Sequence, residues 1–304
     1  MRWIAKAAVQ KGLSALPNEE AVNYWFQRHL THTLPRSGSN LHLHIELPSR
    51  HLQMFKKYGA CPVGEATFFE FGAGWDLIGP LTYYALGVEK QVLIDIRSNL
   101  RFELVEQAWA DLNQRRDEIE RVSGMPARDL GSEPPNSKEA LEERFGISYM
   151  APYDARDTGL PAESFDFISS TDTVEHIPRP DLERIFVEMA RLLRPKGLIS
   201  CTIDLQDIYS YFDSSISKYN YLKFSDRVWG LANSGLHYQS RLRLSDYLEM
   251  IGAAGLEIVD RTVEEPTEED LAELRLLPLA PRFRDGYSPE ALGAKNAHLV
   301  AQRP

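Results

Sequence analysis

Residues 67–76 read Thr-Phe-Phe-Glu-Phe-Gly-Ala-Gly-Trp-Asp, which predicts a buried strand followed at once by a tight glycine turn. Glycines at 72 and 74 remove Cβ crowding at the end of the strand, so a ligand can approach the backbone and the start of the next helix. The chain then reads as a helix up to Leu86, and residues 91–96 form a second apolar run. Together these elements have the size of one βαβ unit.

The alternation of strands and helices continues to the end of the chain. Short apolar runs that predict strands begin at Ile147, Phe165, Leu198, Leu256 and Ala297. From 181 to 193, apolar residues recur at helical spacing instead. This order predicts a Rossmann-like α/β fold with a doubly wound, mostly parallel sheet of seven strands.

The flanking segments predict additions to this core. Residues 1–64 are predicted as an N-terminal helical extension, so the α/β domain spans 65–304. Residues 204–243, here called the cap segment, are rich in Tyr, Ser, Asp and Asn, and we predict that they are inserted over the site. In the extension, Leu41-His42-Leu43-His44 reads as a strand with both histidines on one face. No third ligand is near in sequence, so we predict no metal site.

Composition is that of an ordinary soluble globular protein, with 304 residues, 43% hydrophobic and 26% charged. The net charge of −10 repels a phosphate backbone, which argues against nucleic acid as a partner. Two distant cysteines indicate a reducing cytoplasm and no structural zinc. No apolar run reaches the roughly 20 residues that span a bilayer. The N-terminal helix is predicted to pack on the core rather than contact a membrane surface, and whether the protein forms a homodimer stays open.

The glycine turn separates two classes of cofactor. A dinucleotide-binding Gly-x-Gly-x-x-Gly would have its third glycine at position 77, where this chain has Leu77. Asp95 ends the second predicted strand, where a carboxylate can accept hydrogen bonds from both hydroxyls of a ribose. Because a helical stretch follows, Asp95 is equally typical of a helix N-cap. On these features alone, a nucleotide site and a ligand-free turn both stay open.

A series of short motifs after the third predicted strand is more specific. It comprises Tyr153-Asp154-Ala155, Leu160-Pro161, Ser164-Phe165-Asp166, Val174-Glu175-His176-Ile177 and, after a helix, Leu193 to Gly197. In this order and spacing, the series resembles the small-molecule methyltransferases of class I, which use S-adenosylmethionine (SAM). The glycine turn fits the same family, although Asp76 stands where the family often has a third glycine.

The resemblance covers residues 65–203 and implies SAM as the cofactor, with S-adenosylhomocysteine (SAH) as its product. The residues it implicates are Glu70, Gly72, Ala73 and Gly74 at the methionine end, Asp95 and Ile96 at the ribose, Asp154 and Ala155 at the adenine amine, and Thr171 beside the methionine. SAM carries a sulfonium cation, a diol and an amine. Carboxylates attract the cation and accept hydrogen bonds from the diol and the amine.

Methyl transfer from a sulfonium needs an aligned acceptor and, for a hydroxyl acceptor, removal of a proton. The candidate general bases are His176, after the fourth predicted strand, and His237, in the cap segment. For both, a structural role is the competing interpretation. The candidate substrate-binding residues follow the fifth predicted strand: Asp207, Tyr209, Tyr211, Tyr238 and Arg241.

The sequence therefore predicts an SAM-dependent methyltransferase acting on a small molecule, with a hydroxyl oxygen of a sugar or related metabolite as acceptor. The alternatives are an NAD(P)-dependent oxidoreductase on the same fold and a non-catalytic SAM-binding module. Leu77 argues against the first, and the intact glycines and acids argue against the second. The Asn-Pro-Pro-Tyr motif of base and amide methylation is absent, because the chain reads Ser-Ser-Thr-Asp at 169–172.

Overall fold

The structure, a computed structural model, describes residues 2–13, 24–25, 27–28, 34–235 and 238–304. A seven-stranded sheet lies at its centre in the order β3-β2-β1-β4-β5-β7-β6. The strands are β1 (Thr67–Phe71), β2 (Lys90–Ile94), β3 (Ile147–Met150), β4 (Phe165–Thr171), β5 (Leu193–Asp204), β6 (Glu257–Val263) and β7 (Asn296–Gln302). β1 to β5 are parallel, and β7 is antiparallel to β5 and β6. The predicted Rossmann-like α/β fold is confirmed.

Helices cover the sheet on both faces. They are α1 (Arg2–Leu13), α2 (Gly38–Tyr58), α3 (Ile78–Ala85), α4 (Phe102–Gln114), α5 (Arg116–Ser123), α6 (Lys138–Phe145), α7 (Arg179–Leu192), α8 (Asp226–Ala232), α9 (Leu244–Ala253), α10 (Glu268–Leu276), α11 (Pro281–Gly286) and α12 (Pro289–Gly293). Successive strand residues point to opposite faces. Phe68 therefore packs in the hydrophobic cluster that includes α2, whereas Phe69 packs in the one that includes α7.

α2 corrects one prediction. Leu41, Ile45, Leu52 and Phe55 are buried at helical spacing. The ring of Phe55 lies 5.0 Å from that of Phe68, so the helix belongs to the layer that covers the sheet. The expectation that His42 and His44 lie on a strand was wrong, because a short alternating run can also sit on a helix whose apolar face is set by residues further along. Whether residues 1–64 form a separate extension stays a prediction.

The two histidines have separate hydrogen-bond partners. Nδ1 of His42 lies 2.5 Å from Oε1 of Glu118, and Nδ1 of His44 lies 2.8 Å from the carbonyl oxygen of Asn40. Within the described ranges, no group of three metal-ligating side chains comes together.

The glycine turn after β1 needs its glycines for two different reasons. Gly72 has φ +82°, and a Cβ there would lie 2.5 Å from the side chain of Thr173. Gly74 has φ +72°, but a Cβ there would meet no atom within 4 Å, because its backbone faces open space. Leu77, just before α3, also has a left-handed φ of 55°. The backbone therefore keeps a glycine-like conformation at the position where the dinucleotide fingerprint would have its third glycine.

α1 packs against the cap segment. The ring of Trp3 lies 5.6 Å from the rings of Tyr209 and Phe224, and its backbone N–H donates to Oδ2 of Asp213 at 3.1 Å. The helix thus buries Trp3 and Ala7 in an aromatic cluster shared with the cap segment. Among the helices of the described chain, none has the length and apolar character that crossing a membrane requires.

Candidate active site

The carboxyl ends of the strands open into a cavity of about 610 Å³. It lies between β1 and β4, where the strand order reverses, which is the usual ligand crevice of such sheets. All nine residues predicted to bind the cofactor line this cavity: Glu70, Gly72, Ala73, Gly74, Asp95, Ile96, Asp154, Ala155 and Thr171. Their positions are compatible with the predicted roles, which stay predictions.

Glu70 is buried at the end of β1, with 6% of its surface exposed. Its Oε2 accepts a hydrogen bond from the hydroxyl of Ser169 at 3.2 Å. Burial raises the pKa of Glu70 to about 7, because the charged carboxylate loses its hydration, and the Ser169 hydrogen bond only partly opposes this rise. The cavity thus holds an acid that is readily ionised by a cation placed beside it.

Asp95 joins two loops of the site. Its Oδ2 accepts from the backbone N–H of Gly74 at 3.1 Å, and its Oδ1 accepts from that of Arg97 at 2.9 Å. The helix after β2 begins only at Phe102, with Arg101 as its N-cap, so Asp95 is not a helix cap. Its side chain is held by backbone groups at the edge of the cavity, as a ribose-binding carboxylate would be.

Asp154 forms an ion pair that the sequence did not predict. Nη2 of Arg156 lies 2.7 Å from Oδ2 of Asp154, and Nη1 of the same guanidinium lies 2.7 Å from Oδ1 of Asp181 at the start of α7. The hydrogen bond from Arg156 is the main reason that the pKa of Asp154 is lowered. The backbone N–H and the guanidinium of Arg156 together place two hydrogen bonds on each oxygen of Asp154, so an amine would have to replace one of them.

The wall after β4 carries the groups suited to proton transfer. Nδ1 of His176 lies 2.8 Å from the carbonyl oxygen of Tyr238. A carbonyl can only accept, so Nδ1 carries the proton and Nε2 is the basic nitrogen. Burial lowers the pKa of His176 and raises that of Asp172, while the charges of the two groups attract each other. His176, Asp172 and Tyr238 all line the cavity.

Asp172 was not among the predicted site residues, although a signal was present. It follows β4 directly, just as Asp95 follows β2, and acids at the carboxyl ends of parallel strands face the ligand crevice. Its φ of 45° is unusual for a residue other than glycine. The hydroxyl of Thr202 donates to its Oδ1 at 2.9 Å. Arg36, which also lines the cavity, had no such signal because it lies far from the motifs in sequence.

Four predicted substrate-binding residues lie away from the cavity: Asp207, Tyr209, Tyr211 and Arg241. Asp207 is buried and accepts from the backbone of Tyr209 and from Asn220. Arg241 is buried, and its guanidinium donates to the carbonyl of Tyr221 at 3.0 Å and pairs with Asp226. These polar groups complete bonds within the cap segment, whereas Tyr238 does reach the cavity wall. The other candidate base, His237, lies outside the described residues.

The cavity wall fits SAM. Carboxylates stand at separate points for its cationic and hydroxyl groups, namely Glu70, Asp95 and Asp154. Gly74 leaves open space beside its backbone, where a side chain would occupy ligand volume. Asp76, on the same wall, is ion-paired: Nε of Arg36 lies 3.2 Å from its buried Oδ2.

Comparisons with known proteins give the following matches. Residues 134–201 match a family model described as a methyltransferase domain. No curated protein matches the chain. Similar solved structures include geranyl diphosphate C-methyltransferase from Streptomyces coelicolor A3(2), with 11% identity and a TM-score of 0.46 over 90% of this chain and 86% of that one. A second is an S-adenosylmethionine-dependent methyltransferase from Mesorhizobium loti, with 15% identity and a TM-score of 0.43 over 85% and 98%. Similarity at this level leaves the acceptor undecided.

Proposed function

We propose that this chain is a class I SAM-dependent methyltransferase that transfers the methyl group to a hydroxyl oxygen of a small molecule, such as a sugar or related metabolite. The observation that carries this proposal is the half-buried imidazole of His176 on the cavity wall, whose lowered pKa keeps it neutral and whose Nδ1 proton is held by the carbonyl of Tyr238. A hydroxyl must lose its proton as it is methylated, and a neutral histidine is suited to that role near pH 7.

The cofactor is assigned to the residues around the glycine turn and the strand ends. Glu70, Gly72, Ala73 and Gly74 would hold the methionine end, Asp95 and Ile96 the ribose, Asp154 and Ala155 the adenine, and Thr171 the backbone beside the methionine. When bound, SAM supplies an activated methyl group on its sulfonium sulfur. The protein's part is to orient the acceptor and to exclude water around it.

On the acceptor side, His176 would take the proton of the hydroxyl at Nε2. The carboxylate of Asp172 favours the imidazolium that results, because their opposite charges attract. The bond from Nδ1 of His176 to the carbonyl of Tyr238 keeps the ring oriented, at 2.8 Å. Tyr238 also lines the cavity and is assigned to the acceptor site, while Asp207, Tyr209, Tyr211 and Arg241 are not.

His176→Asn tests the proposal. The asparagine amide can keep the hydrogen bond to the carbonyl of Tyr238, but it lacks the basic nitrogen. We expect methyl transfer to fall by roughly 100-fold or more, with SAH affinity unchanged. The measurement uses methyl-labelled SAM with a panel of hydroxyl-, amine- and thiol-bearing metabolites, together with calorimetry of SAH and NADH binding.

The controls separate the parts of this proposal. Asp117→Ala removes an exposed carboxylate outside the cavity and should leave both binding and turnover unchanged. Label found only on amines or thiols would contradict a hydroxyl acceptor. Full turnover by His176→Asn would contradict the base. Binding of NADH without SAH would contradict the cofactor.

A further inference from the structure

A buried histidine joins α2 to three strands of the sheet. Nδ1 of His51 lies 2.7 Å from the hydroxyl oxygen of Ser200 on β5, and its Nε2 lies 3.3 Å from the hydroxyl oxygen of Thr171 on β4. The Ser200 hydroxyl also lies 2.7 Å from Nε2 of His298 on β7. His51 and Ser200 are fully buried, whereas Thr171 lines the cavity. These hydrogen bonds form a continuous path from the packing surface of α2 to the cavity wall.

This polar path lies within an apolar packing surface. His51 stands among the buried apolar residues of α2, which include Ile45, Leu52 and Phe55. Contacts between apolar side chains have no direction, so they bury the helix without fixing its position along the strands. A buried polar network adds little net stability, because its groups give up water, but a fully bonded network selects one arrangement. The network therefore fixes where α2 sits on the sheet.

The proton count of the two rings ties the network to the cavity. Burial lowers the pKa of His51, and it lowers the pKa of His298 to about 4. Both rings are neutral at physiological pH, so the two nitrogens of His51 have opposite roles. When Nδ1 donates to Ser200, Nε2 accepts from Thr171, and when Nδ1 accepts, Nε2 donates. In either arrangement the ring holds the Thr171 side chain in one rotamer, and the hydroxyl keeps capacity for a further hydrogen bond.

Thr171 stands next to the groups assigned to the acceptor. Asp172 follows it in the chain, and both residues line the cavity together with His176. From the opposite element, α2 brings Pro48 to the same cavity, one helical turn before His51. The end of β4 and the face of α2 thus build this part of the wall together.

We propose that His51 is a positioning residue of the acceptor site, which holds the Thr171 side chain in the orientation that the acceptor contacts. The backbone of Thr171 is assigned to the cofactor, so its main chain and its side chain serve different ligands. The inference rests on the proposed function in taking the cavity to bind a hydroxyl acceptor beside SAM. His51 does not line the cavity, so it acts through Thr171 and not on the reacting atoms.

Two substitutions separate the two bonds of His51. The side-chain amide of asparagine reaches the position of Nδ1, and that of glutamine reaches the position of Nε2. His51→Asn therefore keeps a partner for Ser200 but loses the bond to Thr171, whereas His51→Gln keeps the bond to Thr171. We expect His51→Asn to raise the KM for the best acceptor of the panel by roughly two- to tenfold. His51→Gln should restore most of that loss, and SAH affinity should be unchanged in both.

Thr171→Val tests the other end of the bond. It removes the hydroxyl at nearly constant volume and should raise the KM at least as much as His51→Asn does. The double variant should show no rise beyond that of Thr171→Val, because both changes remove the same bond. NMR of the wild type with ¹⁵N-labelled histidine needs no folded variant of His51. Binding of the acceptor should shift the ring nitrogen signals of that residue.

Ser49→Ala is the matched control. Ser49 is a buried polar residue of the same helix that donates to the carbonyl of Ile45 at 2.7 Å and does not line the cavity, so the KM should be unchanged. An unchanged KM in His51→Asn, equal rises in His51→Asn and His51→Gln, or His51 signals that ignore the acceptor would overturn the inference. If the wild type methylated no hydroxyl, the proposed function would fail with it. Turnover by the wild type confines any failure to this inference.

Discussion

The cavity wall and the cap segment are both rich in polar side chains, but the fold uses them differently. In the wall, Glu70 accepts from the hydroxyl of Ser169, Asp95 accepts from the backbone N–H groups of Gly74 and Arg97, and both acids line the cavity. In the cap segment, Arg243 is fully buried and donates to the carbonyls of Leu205, Leu292 and Ala294. Charged side chains therefore line a cavity in one region and bond to backbone carbonyls in the other.

This difference teaches that polar composition alone does not mark a binding site. A buried polar group must find partners, and the interior supplies them wherever loops leave carbonyls unpaired. What marks the wall is position at the carboxyl ends of parallel strands, where the fold leaves a crevice. The cap segment lacks that constraint, so its polar groups turn inward and bond to one another.

The largest effect should come from Arg243→Met. The substitution keeps the apolar volume but leaves the buried carbonyls of Leu292 and Ala294 without donors. The carbonyl of Leu205 keeps its bond from the hydroxyl of Tyr221, and that hydroxyl loses the donor Nη1 at 2.6 Å. We expect a loss of about 3–5 kcal/mol in the free energy of unfolding. SAH affinity of the folded protein should not change. Urea unfolding and calorimetry measure the two quantities.

Two further variants keep this comparison interpretable. Arg227→Met removes an exposed arginine of the same segment and should leave stability nearly unchanged. If Arg243→Met does not fold, Arg243→Lys, which keeps the charge and some of the bonds, should show an intermediate loss. Unchanged stability with weakened SAH binding would instead place Arg243 in the site.

Glu70 should show a smaller effect that depends on pH. Because burial raises its pKa to about 7, the protein holds a proton there below that pH, and a ligand ammonium must displace it. SAH should therefore bind about tenfold more weakly at pH 6 than at pH 8. Glu70→Gln should bind SAH with a nearly flat pH profile. The same slope in Glu70→Gln would assign the titration to another group.

The sequence predicted the sheet and the cofactor side of the cavity because both depend on local signals. A β-prone run, two glycines and an acid at a strand end are close in sequence, and parallel strands bring their ends together. Gly72, Asp95 and Asp154 were found in this way. The order of the strands in the sheet can be predicted from the same signals, because right-handed crossover connections leave only a few possible topologies.

The remaining features depend on partners that are distant in sequence. Arg36 meets Asp76 across 40 positions, and neither segment contains a pattern that predicts the other. Arg241 looked solvated or ligand-binding, but it is buried against carbonyls of its own segment. His42 and His44 looked like one face of a strand until the apolar spacing of α2 placed them on a helix. In each case the tertiary partner, not the residue type, decides the role.

The smallest effect should come from Tyr211→Phe, which sharpens the boundary between the two regions. The hydroxyl donates to Oδ2 of Asp204 at 2.9 Å and accepts from Gln206, but the side chain is 67% exposed. A hydrogen bond at such a site contributes less than about 1 kcal/mol, and the residue does not line the cavity. Turnover and the KM for the best acceptor of the panel should be unchanged.

Tyr238→Phe, the matched change at the cavity wall, should raise that KM by roughly two- to tenfold. A larger rise in Tyr211→Phe would mean that the acceptor binds on the outer face of the cap segment, and the cavity would then serve the cofactor alone.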